Sequence, residues 1–208
     1  ERLKDEELEL LVDELNITNL NPIFIDNYIK EVENIYASFG FNNINIEIDE
    51  IIYENTNTAD ITFIFDEGKI TKIKNIFFTG NNSVENEILK SQIKSKTKTL
   101  RNIFANNNYK NFIVRNDSRR ISNYYKNIGY KNVDVNFNIE YLESNDVNIY
   151  FEIIEGDKFY FSSIDYLDNN NLIDENLKLK IDEEISKSLN KDNSYSLNKI
   201  DDIKDKIS

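Results

Sequence analysis

The feature that most constrains this chain is an internal repeat. One stretch reads YASFGFNNINIEIDEIIYENTNTADITFIFDEGKITKIKNIFFTGNN and a later one YYKNIGYKNVDVNFNIEYLESNDVNIYFEIIEGDKFYFSSIDYLDNN. Tyr36 recurs as Tyr125, Gly40 as Gly129, Phe41 as Tyr130, Gly68 as Gly156 and Ile76 as Ile164, always 88 or 89 residues apart. VENEILKSQI from Val84 is echoed by LIDENLKLKI from Leu172, again 88 residues on. A chain that repeats at this period is built from similar small units in series, so its fold is the fold of one unit.

The unit can be read element by element. A strand is expected from about Ile70 to Thr79, ending at Gly80-Asn81, where a turn needing positive φ suits glycine. Ser83 is the expected N-cap of a helix whose apolar face carries Val84, Ile88, Leu89 and Ile93. A polar loop from about Lys94 to Asn108 leads to a second helix with Ile121, Tyr124, Tyr125 and Ile128 on one face, stopped by Gly129. The matching helix of the earlier unit shows Ile25, Tyr28, Ile29, Val32, Ile35, Tyr36 and Phe39, an amphipathic stripe. Strict alternation follows, with Val133, Val135, Phe137, Ile139 and Tyr141 on one side and Asp134, Asn136, Asn138 and Glu140 on the other. The earlier unit sets Ile44, Ile46 and Ile48 against Asn45, Glu47 and Asp49. This is the pattern of half-buried strands. A polar turn from Glu143 to Asp146 returns the chain into Val147, Ile149, Phe151 and Ile153, a hairpin closed by Glu155-Gly156.

The order β-α-α-β-β gives an α+β module in which two helices cover one face of a three-stranded sheet. Residues 1–68 hold a module lacking its first strand, 69–156 a complete one, and 157–208 one truncated before its hairpin. Linkers are nearly absent, so relative motion of the modules is expected to be restricted. The chain opens at Glu1 in a helical pattern and ends at Ser208 in another, and it is read as a fragment.

Composition narrows the function. A net charge of −13 argues against a nucleic-acid partner, because phosphate binding needs a basic face. Hydrophobic residues make up 39 %, enough for modest cores, and no apolar run approaches a membrane span. Cys and His are absent, so no thiol nucleophile, imidazole base, disulfide or zinc site can form. Catalysis would rest on carboxylates such as Asp66 with Glu67 or Asp49 with Glu50, yet neighbours in a strand point to opposite sides and cannot converge on one bond. The chain is not expected to be an enzyme or to carry a cofactor or metal. Asp165, Asp168, Asn169, Asn170 and Asp174 cluster without the spacing of an EF-hand, and they fall where turn-forming residues are expected.

FDEGKITKIKNIFFTGNNSVENEIL, SNYYKNIGYKNVDVNFNI and DVNIYFEIIEGDKFYFSSIDYLDN together resemble the POTRA family, most closely the middle modules of the BamA-type outer-membrane assembly factor. The resemblance implies tandem modules on the periplasmic face of a Gram-negative outer membrane, followed in the same chain by a membrane β-barrel. It implies as partners unfolded outer-membrane proteins and accessory assembly lipoproteins. Related modules serve translocation and secretion barrels, and a passive scaffold is the remaining alternative. An edge strand can receive an extended client by main-chain bonds alone. The expected edge is Asn132, Val133, Asp134, Val135, Asn136, Phe137, Asn138, Ile139 and Glu140. Its counterpart is Asn43, Ile44, Asn45, Ile46, Glu47, Ile48 and Asp49. By the same resemblance, Ile93, Lys94, Ser95 and Lys96 mark a lipoprotein docking segment.

Overall fold

The computed structural model describes residues 2–17, 21–98, 104–168, 173–191 and 193–207. The first module holds helices α1 (Asp5–Glu14) and α2 (Pro22–Phe39) and strands β1 (Asn45–Tyr53) and β2 (Thr58–Asp66). The middle module runs β3 (Lys72–Thr79), α3 (Asn86–Gln92), α4 (Asn111–Asn127), β4 (Asp134–Tyr141) and β5 (Asp146–Ile154). The last holds α5 (Glu175–Lys191) and α6 (Leu197–Ile207). The fold is α+β, and the middle module has the order β-α-α-β-β that the repeat predicts.

By compactness the chain divides into two units. One is Glu1–Ile76 with Ser95–Val114 and Ile139–Ile149; the other is Phe77–Lys94 with Arg115–Asn138 and Tyr150–Ser208. The division passes through β3, α4, β4 and β5, so each unit contains one terminal module and part of the middle one.

In the first unit, α2 starts where the chemistry favours it. Asn21 accepts a hydrogen bond from the Ile23 amide at 3.0 Å, and Pro22 at the first helical position loses no needed N–H. The helix stops at Gly40, whose φ of 103° is the left-handed conformation a side chain would resist. Its buried face (Tyr28, Val32 and Tyr36) packs with Leu3 and Leu8 over Ile44, Ile46, Phe63 and Phe65. β1 and β2 pair antiparallel from Asn45↔Asp66 to Tyr53↔Thr58, and among the described residues these two strands are the whole sheet.

The middle module's sheet has the order β3-β5-β4. Phe77 stacks on Tyr150 and Phe78 on Phe151, while Gly80 abuts Ile153, so the numbers rise together and β3 runs parallel to β5. Asn148 bonds Glu140, and the Leu142 amide bonds the Asp146 carbonyl, so β4 runs antiparallel to β5. Val147, Ile149 and Phe151 are fully buried, as are Val114, Ile121 and Tyr125 of α4.

Three expectations need correction. Ser83 does not cap α3: the cap position is Glu85 without a side-chain bond, and the Ser83 hydroxyl is engaged by Glu155 instead. Ile88 is exposed, because α3 is only 7 residues long and its buried stripe reduces to Leu89, flanked by Val84 and Ile93. The opening strand of the last module is reduced to a single bridge, Tyr160↔Ser194. A strand in this position pairs with the returning arm of a hairpin, and there is none among the described residues of 157–208. Ile164 and Tyr166 still pack on Ile181, Ile185 and Ile203 of the α5–α6 pair.

Candidate functional site: strand edges and module joints

β4 is an outer strand of its sheet, and β1 is an outer strand of the first. Along β4, Val135, Phe137 and Ile139 are half-buried and Asp134, Asn136, Asn138 and Glu140 face solvent. The exposed groups are tied down locally: Asn136 donates to Asp134 at 2.9 Å, and Asn148 donates to Glu140 at 2.7 Å. Asn132 and Val133 precede the strand, and Val133 is buried. In the earlier module Asn45, Ile46, Glu47, Ile48 and Asp49 lie in β1, whereas Asn43 and Ile44 lie before it. Asn43 donates its side-chain amide to Asn145 at the β4–β5 turn. Of the docking segment, Ile93 and Ser95 are buried and the Lys94 amide is held by Asp117 at 2.8 Å, leaving Lys94 and Lys96 as its exposed residues.

The joint from one module to the next is built twice from the same bonds. In the first unit the Thr71 amide donates to the Gly40 carbonyl (2.9 Å), Ile73 to Asn107 (2.7 Å) and Tyr109 to Thr71 (2.9 Å). In the second unit Phe159 donates to Gly129 (2.8 Å), Phe161 to Asn193 (2.8 Å) and Tyr195 to Phe159 (2.9 Å). The helix stop of one module therefore receives the first residues of the next, and a loop before that module's second helix clamps them from the other side. Glycine at Gly129 is required here, since a Cβ would lie 2.8 Å from the Lys158 side chain at a φ of 112°.

The first and middle modules are each also tied by a carboxylate. Glu155 accepts from the Tyr125 hydroxyl at 2.9 Å, the Ser83 amide at 2.8 Å and the Ser83 hydroxyl at 2.8 Å. Glu67, 88 residues earlier, accepts from the Tyr36 hydroxyl at 2.9 Å and the Arg2 amide at 2.6 Å. The Arg2 amide bond, first, holds the Glu67 carboxyl below its ordinary range. Burial, helped by Glu155, pushes the Tyr125 phenol up. The signal was present in the recurrence of Tyr and of Glu-Gly at one offset.

Other carboxylates have local duties. Asp168 accepts from the Ile173 amide and Asp174 caps α5 through Leu177, while Asn169 and Asn170 lie outside the described residues. Among the described residues no three acidic side chains are grouped to hold a metal ion, and no helix is long and apolar enough to cross a membrane.

Residues 71–156 match the family model of POTRA, the surface antigen variable number repeat. This segment is similar to POTRA domains. No curated protein matches the chain. Among solved structures the chain is similar to BamA from Haemophilus ducreyi lacking POTRA domains 1–3, at 16% identity and TM-score 0.45, covering 70% of this chain and 27% of that one. It is similar to POTRA3-5 of Haemophilus influenzae BamA (15% identity, TM-score 0.44, covering 71% and 54%). POTRA1-3 of Omp85 from Anabaena is a third such structure (16% identity, TM-score 0.39, covering 76% and 60%). The chain thus spans between 27% and 60% of these chains. The matched segment holds β4 at its outer edge and shares a joint of one design with the modules before and after it.

Proposed function

We propose that this chain is a polypeptide-binding array from the periplasmic part of an outer-membrane β-barrel assembly machine. Unfolded outer-membrane proteins are its clients, received by strand addition along β4 and, in the first module, along β1. The observation that carries this reading is the position of β4, an outer strand with a half-buried apolar face and a polar wet face. Main-chain pairing at such an edge is indifferent to client sequence, which suits clients that share only β-structure. The exposed acidic and amide side chains along β4 also discourage self-association of the edge between copies. Lys94 and Lys96 form the exposed part of a docking surface for an accessory lipoprotein, and a membrane β-barrel follows in the same polypeptide. The repeated joints support the array, since each incoming segment is bonded on both sides and its module is held by more than a covalent linker.

Titration of the isotope-labelled chain with a peptide copied from a β-barrel strand tests this reading. Saturable amide shifts concentrated on Asp134–Tyr141 are expected. A flat titration at about 1 mM peptide, which bounds the binding free energy above roughly −4 kcal/mol, leaves a scaffold without client binding.

A further inference from the structure

Among the described residues, positive φ outside glycine occurs at Asn16, Asn57 and Asn145. Asn57 and Asn145 are 88 residues apart and hold the same place in two hairpins, directly before β2 and β5. Asparagine tolerates the left-handed conformation better than other side chains, which accounts for the backbone at both turns. It does not account for the side chain of Asn145. Its Oδ1 accepts from the Asn43 side-chain amide and from the Thr71 hydroxyl (3.1 Å), and its Nδ2 donates to the Lys69 carbonyl at 2.8 Å. Thr71 is fully buried, so its hydroxyl depends on that acceptor. Asn43 belongs to the first module, Lys69 to the connection and Thr71 to the segment entering β3, and all of them lie with Asn145 in one compact unit. The Asn145 carbonyl also accepts from the Lys72 amide at 3.4 Å, a bond that any residue at 145 keeps.

We propose that the β4–β5 turn is a clasp that fixes the orientation of the first module on the middle one, with Asn145 as its positioning residue. The joint itself converges on Gly40, whose carbonyl accepts from the Thr71 amide at 2.9 Å and from the Asn42 side chain at 3.0 Å. Two bodies attached at one point still pivot about it, and a second attachment from a different element stops the pivot. Asn43 and Asn145, 102 residues apart, supply that second attachment. The side chain suits the task. Its carbonyl oxygen takes two donors while its amide reaches a third partner. Aspartate would keep the acceptors and lose the donor, and glycine would keep the turn and lose all three bonds. The hairpin that carries the outer strand β4 is thereby tied at its tip to the module before it.

The 208-residue chain has no cysteine, so a nitroxide pair can be placed on Lys30→Cys in α2 and Phe112→Cys in α4, both exposed and in the same unit. Double electron–electron resonance then reads the spread of distances between the first module and the middle one. A single narrow distribution is expected. Asn145→Gly, which leaves the turn's backbone unstrained, should broaden it about twofold or more. Asn57→Gly makes the same exchange at the end of β2 away from the joint and should leave the distribution unchanged. Asn43→Ala opens the clasp from the first module's side, without touching the middle module, and should broaden the distribution as well. Combined with Asn145→Gly it should broaden it no further, since both delete one attachment. Unchanged widths in Asn43→Ala and Asn145→Gly would overturn the clasp. Equal broadening by Asn57→Gly would overturn it too, because turn softening would then suffice. Should Asn145→Gly lose the native circular dichroism, Asn43→Ala decides alone: broadening supports the clasp, and an unchanged width overturns it.

Discussion

The Tyr125 hydroxyl donates a hydrogen bond to Glu155 at 2.9 Å, and Tyr36 makes the same bond to Glu67 at the same distance one repeat earlier. In each case a residue on the second helix of a module reaches the last residue before the glycine that closes its hairpin. The same carboxylate then takes the backbone amide three residues ahead of the first helix, Ser83 before α3 and Arg2 before α1. One acid therefore ties three elements together. Its removal should loosen all three. Tyr125→Phe deletes one bond and keeps the ring's packing against Tyr130, so a loss of about 1 kcal/mol is expected. Glu155→Ala orphans the Ser83 amide and the Tyr125 hydroxyl together and should cost about 2–3 kcal/mol. Urea denaturation of both variants measures the difference.

Glycine replacement should separate two sites with similar backbone angles. At Gly80 (φ 76°) a Cβ would stand 2.0 Å from the Ile153 carbonyl oxygen, a clash with backbone that β3 and β5 can relieve only by parting. At Gly156 (φ 68°) the nearest atom would be 3.8 Å away. Gly156→Ala should cost only the conformational penalty of about 1–2 kcal/mol, and Gly80→Ala clearly more. Thermal melts of the pair rank them.

Stability should fall at both ends of the pH range, for different residues. Glu67 has its pKa lowered from 4.5 by the Arg2 amide and, less strongly, by the Tyr36 hydroxyl. Its contribution is complete above that value and is lost as the pH falls below it. Tyr125 has its pKa raised from 10.0 by burial and by Glu155, and Tyr109 is raised by burial. Their contribution is complete below pH 10.0 and is lost as the pH rises beyond it, because the unfolded phenols ionise first. Unfolding followed by circular dichroism across pH checks both limbs, and Tyr125→Phe should flatten the alkaline one.

Core truncations should report the unequal filling of equivalent seats. Phe151 is fully buried between Phe78 and Phe137, and Phe151→Ala should cost about 3–5 kcal/mol. Phe63 meets the Tyr28 ring at a tilt of 46° but borders an open cleft, so Phe63→Ala should cost well under that. Equal losses by denaturant titration would contradict the burial difference.

Much of this was legible in the sequence, because the repeat supplies its own control. Gly40 and Gly129 stop helices, β4 alternates as expected, and the β4–β5 hairpin turns at the polar segment around Asn145. What escaped was tertiary. Ser83 has the right identity for a cap, yet its hydroxyl finds Glu155, 72 residues away, and no local pattern announces that competition. The opening segment of the last module has strand-like residues such as Phe159 and Phe161, but a strand exists only where a partner edge does. Ser95 reads as part of a polar segment, yet it is buried, and the neighbouring Lys94 amide is held by Asp117 of α4, 23 residues away.

The central claim is that β4 is a working edge. Hydrogen exchange of its backbone amides, with and without a saturating β-barrel strand peptide, tests it most directly. Protection should rise along Asp134–Tyr141 at alternate amides, those pointing away from β5, and the amides already bonded to β5 should change little. Unchanged exchange along β4 while the peptide is demonstrably bound would contradict the account and move client binding to another surface.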